Sequence, residues 1–444
     1  MVIRRIWLVI AAVALVLAPS KARAHAKLME SNPKAGAVLG AAPAHVTLVF
    51  SEKPQVTLSS IRLVGPVGDT IVLASLRNDI ARPNALVADV PLGIVAGRYS
   101  ILWTAAGRDG HPSHGSLKFS IAFPTRETVD SALVHESPGE ELDSGSIAVA
   151  GAIGSIIARW LSFAACFVLI GVMTFRFVVL RQMNPAGNDL FAQIASVNSA
   201  TFGMAAAAAS LVGAILKLAR ESSDMPDAAM SGMLFGSTWG WSLLLQLIGA
   251  AGAVFALYRV HRINRGWTTA LGATALVAIS PSVASHAAAS GNAYIAVPID
   301  IAHVAVGGMW LGTLAVIVIV GISAALKTPD AVRPGARVAT MINAFSPVAL
   351  TCGGAIVLTG VASSLIEVPY LRSLWTTPYG VILLLKLFFV ALLFAAGAWN
   401  WRRMKPRLTG EDAISPMQSS ASLELMIAVA VLTVTAILVA LELP

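Results

Sequence analysis

The sequence predicts two domains of different class: an all-β exported domain, a Greek-key barrel or immunoglobulin-like sandwich, followed by an all-α polytopic membrane domain of eight transmembrane helices. Three observations carry that reading. Hydrophobic residues make up 56% of the 444 and charged residues only 12%, with a mean hydropathy of +0.76, far from a soluble average. The apolar residues are unevenly spread, in short alternating runs over residues 25–124 and in long unbroken blocks from 147 onward. Ahead of both stands a leader.

That leader, "MVIRRIWLVIAAVALVLAPSKARA", has Arg4 and Arg5, an apolar run from Ile6 to Ala18, and Ala22 and Ala24 bracketing Arg23. This is the layout of a secretory signal peptide, residues 1–24, with an A-x-A exit site. Cleavage after Ala24 makes His25 the first residue of the mature chain. An N-terminal histidine offers a metal both its α-amine and its imidazole. If cleavage falls elsewhere, His25 is an ordinary exposed side chain.

Residues 25–124 read as short strands. "HVTLVFSE" alternates Val46, Leu48 and Phe50 against Thr47 and Ser51; "GRYSILWTAAG" alternates Tyr99, Ile101 and Trp103; "GSLKFSIAF" alternates Leu117, Phe119 and Ile121. Gly65-Pro66, Gly68-Asp69, Arg82-Pro83-Asn84 and Asp109-Gly110 supply the turns. About 100 residues punctuated in this way suit a small sandwich or barrel. Residues 125–146 lose the alternation and collect acid, including Glu127, Asp130, Glu140 and Glu141, and read as a solvated tether.

The membrane domain, 147–444, contains apolar blocks at 147–175, 194–219, 234–258, 267–289, 297–325, 342–366, 379–400 and 421–442. Each is long enough for the ~20 residues that a helix needs to cross the hydrocarbon. Loops after the odd-numbered blocks carry Arg176, Arg181, Arg259, Arg262, Arg265, Lys327, Arg333, Arg337, Arg402, Arg403, Lys405 and Arg407, against Lys217, Arg220 and Arg372 on the other side. The positive-inside rule puts the first set in the cytoplasm and residue 147 outside, as a secreted N-terminal domain also requires. The net charge of +8 is therefore topology and not a nucleic-acid footprint. Cys166 and Cys352 fall inside the apolar blocks and read as packing residues. No nucleotide-binding loop of the GxxxxGK[ST] type occurs, and nothing in the sequence points to an enzyme.

The chemistry of the exported domain concentrates in "GRDGHPSHGSLKF". Asp109 and His111 lie two apart across a glycine, so in an extended segment both leave from one face. With His25 they form a nitrogen-rich mixed N/O set, which suits Cu(II). The stretches "HAKLMESNPKAGAVLGAAPAHVTLVFSE" and "GRYSILWTAAGRDGHPSHGSLKFSIA" resemble the CopC family of periplasmic copper-binding β-barrels over essentially the whole exported domain. That resemblance implies that His25 supplies amine and imidazole and that Asp109 and His111 complete one Cu(II) site. The methionine-rich Cu(I) site of some members has no counterpart between Leu73 and Leu92, where there is no methionine. His114 is an extra imidazole, read as a surface residue rather than an axial ligand.

In the membrane half, His286 lies near the outer end of the fourth block, and Asp300 and His303 lie at the outer start of the fifth, sharing a helical face. From their chemistry and position, His286, His303 and Asp300 are the candidate copper-binding residues of the membrane half, with Asp300 expected to orient His303 through a hydrogen bond. Met309 and Met341 read as packing, and Lys386 and Glu424 read as an internal ion pair, as snorkelling ends or as transport residues. "SHA", "DIAHVAVGGMWLG", "FSPVALTCGGAIVLTG", "TPYGVILLLKL" and "ASLEL", in that order, resemble the CopD membrane proteins, so that the chain looks like a CopC/CopD fusion. The resemblance implies copper homeostasis and resistance at the bacterial inner membrane, with the N-terminal domain in the periplasm and copper imported across the bilayer. The expected partners are the copper ion, the lipid bilayer and other periplasmic copper carriers, with no nucleic acid. Two other readings stand beside it: sequestration with the helices as anchor, and a haem-type membrane oxidoreductase, which would need histidine pairs on facing helices.

Overall fold

The computed structural model describes residues 28–51, 53–56, 59–66, 69–107, 112–122, 142–183, 189–223, 227–263, 266–285, 288, 293–328, 332, 334–368, 370–404 and 414–441. The chain divides into two compact units, one built on strands and one on helices. Each has its own apolar core.

The first unit is a sandwich of two sheets. Strands β1 (Leu28–Asn32), β3 (His45–Phe50), β7 (Ala85–Asp89) and β6 (Ala74–Asn78) form one sheet in the order β1-β3-β7-β6. The other has the order β2-β9-β8-β4-β5, from β2 (Val38–Leu39), β9 (Pro112–Ile121), β8 (Gly97–Ala106), β4 (Ser60–Val64) and β5 (Thr70–Val72). The alternation in the sequence is the alternation of the pleat: Val46, Leu48, Phe50, Ile101 and Leu117 point inward and are buried, while Thr47 and Val49 between them are only partly covered. Phe50 lies edge-on to Trp103 at 5.2 Å and joins the two layers, while Tyr99 stacks on its cross-strand partner Phe119 at 5.7 Å within one sheet. Trp103 lies over Gly115 so closely that a Cβ there would come within 2.3 Å of its ring. The β8–β9 ladder runs unbroken from Gly97↔Ile121 to Ala106↔Pro112 and leaves residues 107–111 as its connection.

The helical unit contains seven helices long and apolar enough to cross a membrane among the described residues: α1 (Gly154–Met183), α2 (Leu190–Ser222), α3 (Thr238–Arg262), α5 (Ala293–Lys327), α6 (Pro334–Glu367), α7 (Pro378–Arg402) and α8 (Met417–Leu438). Between α3 and α5 comes α4 (Trp267–Val283), apolar but only 17 residues long. The fourth block was expected to run to 289. It stops early, two residues after Pro281, where Ala284 leaves helical dihedrals at φ −113°, ψ 20°. Lys217 and Arg220, expected in a loop, lie within the last turns of α2.

Helix α5 is the most enclosed of the seven, with 72% of its apolar window inside the protein against 11% for α6 and α7. It crosses α1 at glycines. A Cβ on Gly171 would sit 2.1 Å from the carbonyl carbon of Gly312, and one on Gly312 would sit 1.8 Å from Phe167 O. Only two glycines permit such a backbone-to-backbone approach. Immediately there α5 departs from α geometry, with π turns at Gly308–Gly312 and Ile317–Gly321. Met341 is fully buried, its sulfur 2.5 Å from where a Cβ of Gly321 would be, so it packs against that second turn.

Candidate functional site

In the β unit, His25, Asp109 and His111 lie outside the described residues, and so does the side chain of His114, whose backbone pairs with Thr104. The backbone on either side of them is described. β1 begins at Leu28, which pairs with Phe50 at the far end of β3. Phe50 meets Trp103 across the sandwich, and Trp103 stands three residues before Ala106, the last position of β8. Just past β3, Gln55 Nε2 donates to Gly107 O at 2.7 Å and holds the first residue of the 107–111 connection. The start of β1 and the β8–β9 connection therefore occupy the same end of the sandwich. His25 precedes Leu28 by three residues, a reach of at most about 10 Å.

On the surface of the same unit, Asp89 Oδ1 accepts from Arg77 Nη1 at 2.9 Å and lies 2.8 Å from His45 Nδ1. Arg77 above all, with His45 beside it, holds this carboxyl below the usual aspartate value against the opposing effect of desolvation.

In the helical unit, polar residues gather where α5 begins, α6 ends and α7 begins. At the rim, Tyr379 Oη donates to Glu367 Oε2 at 2.6 Å. Asp300 lies about 10 Å down α5, and Lys386, about 12 Å down α7, is within electrostatic range of both Asp300 and Glu367. His303, about 15 Å down α5, is half-buried, with Nδ1 2.9 Å from Thr359 Oγ1 on α6. Its partner is thus Thr359 and not Asp300, as the sequence had suggested. The Thr359 hydroxyl also lies 2.8 Å from Ala355 O and, with its proton donated there, its oxygen accepts from His303 Nδ1–H. In that tautomer the Nε2 lone pair is left for a ligand, with no partner among the described residues. Gly360 keeps room for the ring, since a Cβ there would already touch His303 Cε1 at 3.4 Å. Sequence reasoning singled out Asp300, His303 and Lys386 in this group but not Thr359, Glu367 or Tyr379. His286, at the far end of the loop from α5, lies outside the described residues.

A second polar group lies at the opposite end of α7, about 21 Å from Lys386 along the axis. There Asn400 donates to Glu424 of α8 and accepts from Ser420, and both Asn400 and Glu424 are buried. Lys386 and Glu424 are therefore too far apart to pair with one another. A third group joins α1, α2 and α3, where Lys217 Nζ donates to Gln246 Oε1 at 2.9 Å and Gln246 Nε2 donates to Ser162 Oγ at 2.9 Å and Ser210 O at 3.0 Å. Cys166 and Cys352 are buried free thiols. Among the described residues, no three His, Cys, Asp or Glu side chains converge as a metal centre.

Comparison with known proteins matches the chain in three parts: the CopC domain over residues 28–122, the copper resistance protein D-like N-terminal domain over 150–296, and copper resistance protein D over 339–438. It is similar to the copper transport protein CutJ of Bacillus subtilis (strain 168), 25% identical over 441 residues that cover 97% of this chain and 77% of that one. It is also similar to copper resistance protein C of Pseudomonas syringae pv. tomato, 32% identical over 111 residues, 24% of this chain and 87% of that one. Among solved structures, CopC from Methylosinus trichosporium OB3b is 23% identical and covers 23% of this chain and all of its own, with a TM-score of 0.21. PcoC from Escherichia coli, a methionine-rich copper resistance protein, is 29% identical and covers 22% of this chain and all of its own, with a TM-score of 0.20.

Proposed function

Because the chain belongs to the copper-resistance family, with a CopC domain followed by CopD-family domains, we propose that its β domain captures Cu(II) outside the inner membrane and that its helices carry copper inward. The observation that carries the first half is the convergence at one end of the sandwich: the start of β1, three residues after His25, and the connection that holds Asp109 and His111. In this reading the α-amine and imidazole of His25, the carboxylate of Asp109 and the imidazole of His111 bind one ion. Amine, imidazole and carboxylate together favour Cu(II), which tops the divalent affinity series.

The second half rests on the descending group of Glu367, Tyr379, Asp300, Lys386 and His303. The positive-inside rule puts this end of the bundle on the periplasmic side, where the sandwich delivers its ion. Two carboxylates near the mouth attract the cation, and the free Nε2 of His303 replaces water that the ion must shed to go deeper. His286, on the other side of the short loop before α5, supplies a second imidazole. Covalent attachment of donor to acceptor raises the effective concentration of bound copper at the mouth.

Two measurements test this reading. The purified protein should begin at His25, and acetylation of its amine should weaken Cu(II) binding with every side chain intact; a different first residue removes the amine from the site. His286→Ala and His303→Ala should lower the copper that cells accumulate at equal protein level and unchanged Cu(II) binding by the β domain. Unchanged accumulation in both variants would mean that the protein sequesters copper and that the helices only anchor it.

A further inference from the structure

At the end of the bundle away from His303, α5, α6, α7 and α8 enclose a cavity of about 520 Å³, within the range of sites that hold small organic ligands. Its inner wall is apolar and aromatic, with Trp310, Phe345 and Phe394, and Trp310 and Phe394 are 5.1 Å apart. Its other side reaches the surface of the bundle, because the lining residues Leu350, Val357 and Trp401 are 63%, 49% and 52% exposed. These residues lie on the two helices least enclosed by protein, so the opening faces hydrocarbon. A ligand would enter from the bilayer and not from water.

One wall of this cavity is polar, and it is built. Asn400 and Glu424, 8% and 6% exposed, both line it. Asn400 spends one N–H on Glu424 and its carbonyl on Ser420. Its second N–H and the second oxygen of Glu424 have no partner among the described residues, which leaves one donor and one acceptor side by side. A phosphate or a fatty-acid carboxylate would meet the buried Glu424 carboxylate as a like charge in a low-dielectric site, and Arg402, the cation of the lining, is exposed beside Trp401 at the end of α7 rather than at the buried wall. A neutral head group that accepts one hydrogen bond and donates another, on a flat ring with an apolar tail, satisfies the pair and fits the aromatic wall.

We propose that this cavity is a binding site for a membrane-soluble quinol, with Asn400 donating to one ring hydroxyl oxygen, Glu424 accepting from a ring hydroxyl, and the tail leaving between α6 and α7. The inference concerns binding alone and is independent of the copper path. Its test uses decylubiquinol, the reduced form that carries the ring hydroxyls, kept anaerobic, and the full-length protein in phosphatidylcholine nanodiscs, with tryptophan fluorescence as readout, since Trp310 and Trp401 line the cavity.

Quenching should contain a saturable component in addition to the linear part caused by partition into lipid. Gly397→Leu should abolish the saturable part, because Gly397 lines the cavity and a Cβ there meets nothing within 4 Å, so the added side chain fills empty space without a backbone clash. Glu424→Gln and Asn400→Leu should weaken binding tenfold or more. Equal thermal unfolding of wild type and Gly397→Leu verifies that the blocked protein is folded. Purely linear quenching of the wild type, or a saturable component that survives Gly397→Leu, overturns the assignment and leaves a cavity filled by lipid tails. Copper accumulation is not read in this test, so its failure is separate from any failure of the copper path.

Discussion

His303 Nδ1 and Thr359 Oγ1 lie 2.9 Å apart and join α5 to α6 well inside the span of both helices. With the Thr359 proton on Ala355 O, the hydroxyl accepts from the imidazole. Thr359→Val keeps the shape and removes the acceptor, stranding a half-buried N–H at a cost of about 1–3 kcal/mol and freeing the ring to turn. Thermal stability should fall by that amount and copper accumulation should fall with it, while Thr359→Ser retains both. Normal accumulation in Thr359→Val would mean that the orientation of His303 is immaterial to the ion.

The crossing of α1 and α5 leaves no space for a methyl group. Gly312→Ala should force the helices apart at Phe167 O and Gly171, a form of overpacking that costs about 1–3 kcal/mol and often more where backbone is the obstacle. Gly272→Ala on α4, where a Cβ meets nothing, is the matched control and should be neutral. Unfolding temperature in detergent, with the yield of monodisperse protein, distinguishes the two.

Gln55 grips Gly107, the described start of the 107–111 connection, from outside the β8–β9 ladder. Gln55→Ala should loosen that connection and weaken Cu(II) binding several-fold, with little change in the fold of the sandwich, whose core does not include Gln55. Isothermal titration of the isolated β domain measures it, and an unchanged affinity would show that the connection is held by other means.

Asp89 carries a pH dependence whose sign follows from its neighbours. Arg77 first and His45 second hold its folded value below the unfolded one, near 3.9. The stabilisation is therefore complete above the unfolded value and is lost as pH falls through the folded one. Wild-type β domain should lose more stability than Asp89→Asn when acidified from pH 5 to pH 2, as read by denaturant midpoints. Since the carboxylate is at the surface, the difference should also shrink in 1 M salt.

Strand periodicity made the sandwich legible, because Val46, Leu48, Phe50, Ile101 and Leu117 face inward for the same reason that they alternate in the chain. The helices were legible as apolar blocks but not their ends, and α4 shows why: small apolar residues run on past Ala284, so hydropathy does not register that the backbone leaves helical dihedrals there. The polar group around His303 was half legible. Asp300, His303 and Lys386 are rare in lipid and stand out in a sequence, whereas Thr359 is a common helix residue whose role arises only from the packing of α6 on α5. Gly171 and Gly312 were silent too, being 141 residues apart in a chain rich in glycine. Lys217 was misread because charge alone does not distinguish a loop from the last turns of a helix, where Gln246 receives it.

Within each π turn of α5 one residue is surplus to the α-helical repeat, because the backbone bonds there reach five residues instead of four. Deleting one residue from either turn lets it relax to ordinary helix, and the faces above and below keep their aim. The same deletion between Asp300 and Gly307 rotates the two sides by about 100° relative to each other and turns His303 away from Thr359. Natural variants of this gene that have lost a single codon in α5 should therefore have lost it at Gly308–Gly312 or Ile317–Gly321. These are the two places where the helix has length to spare.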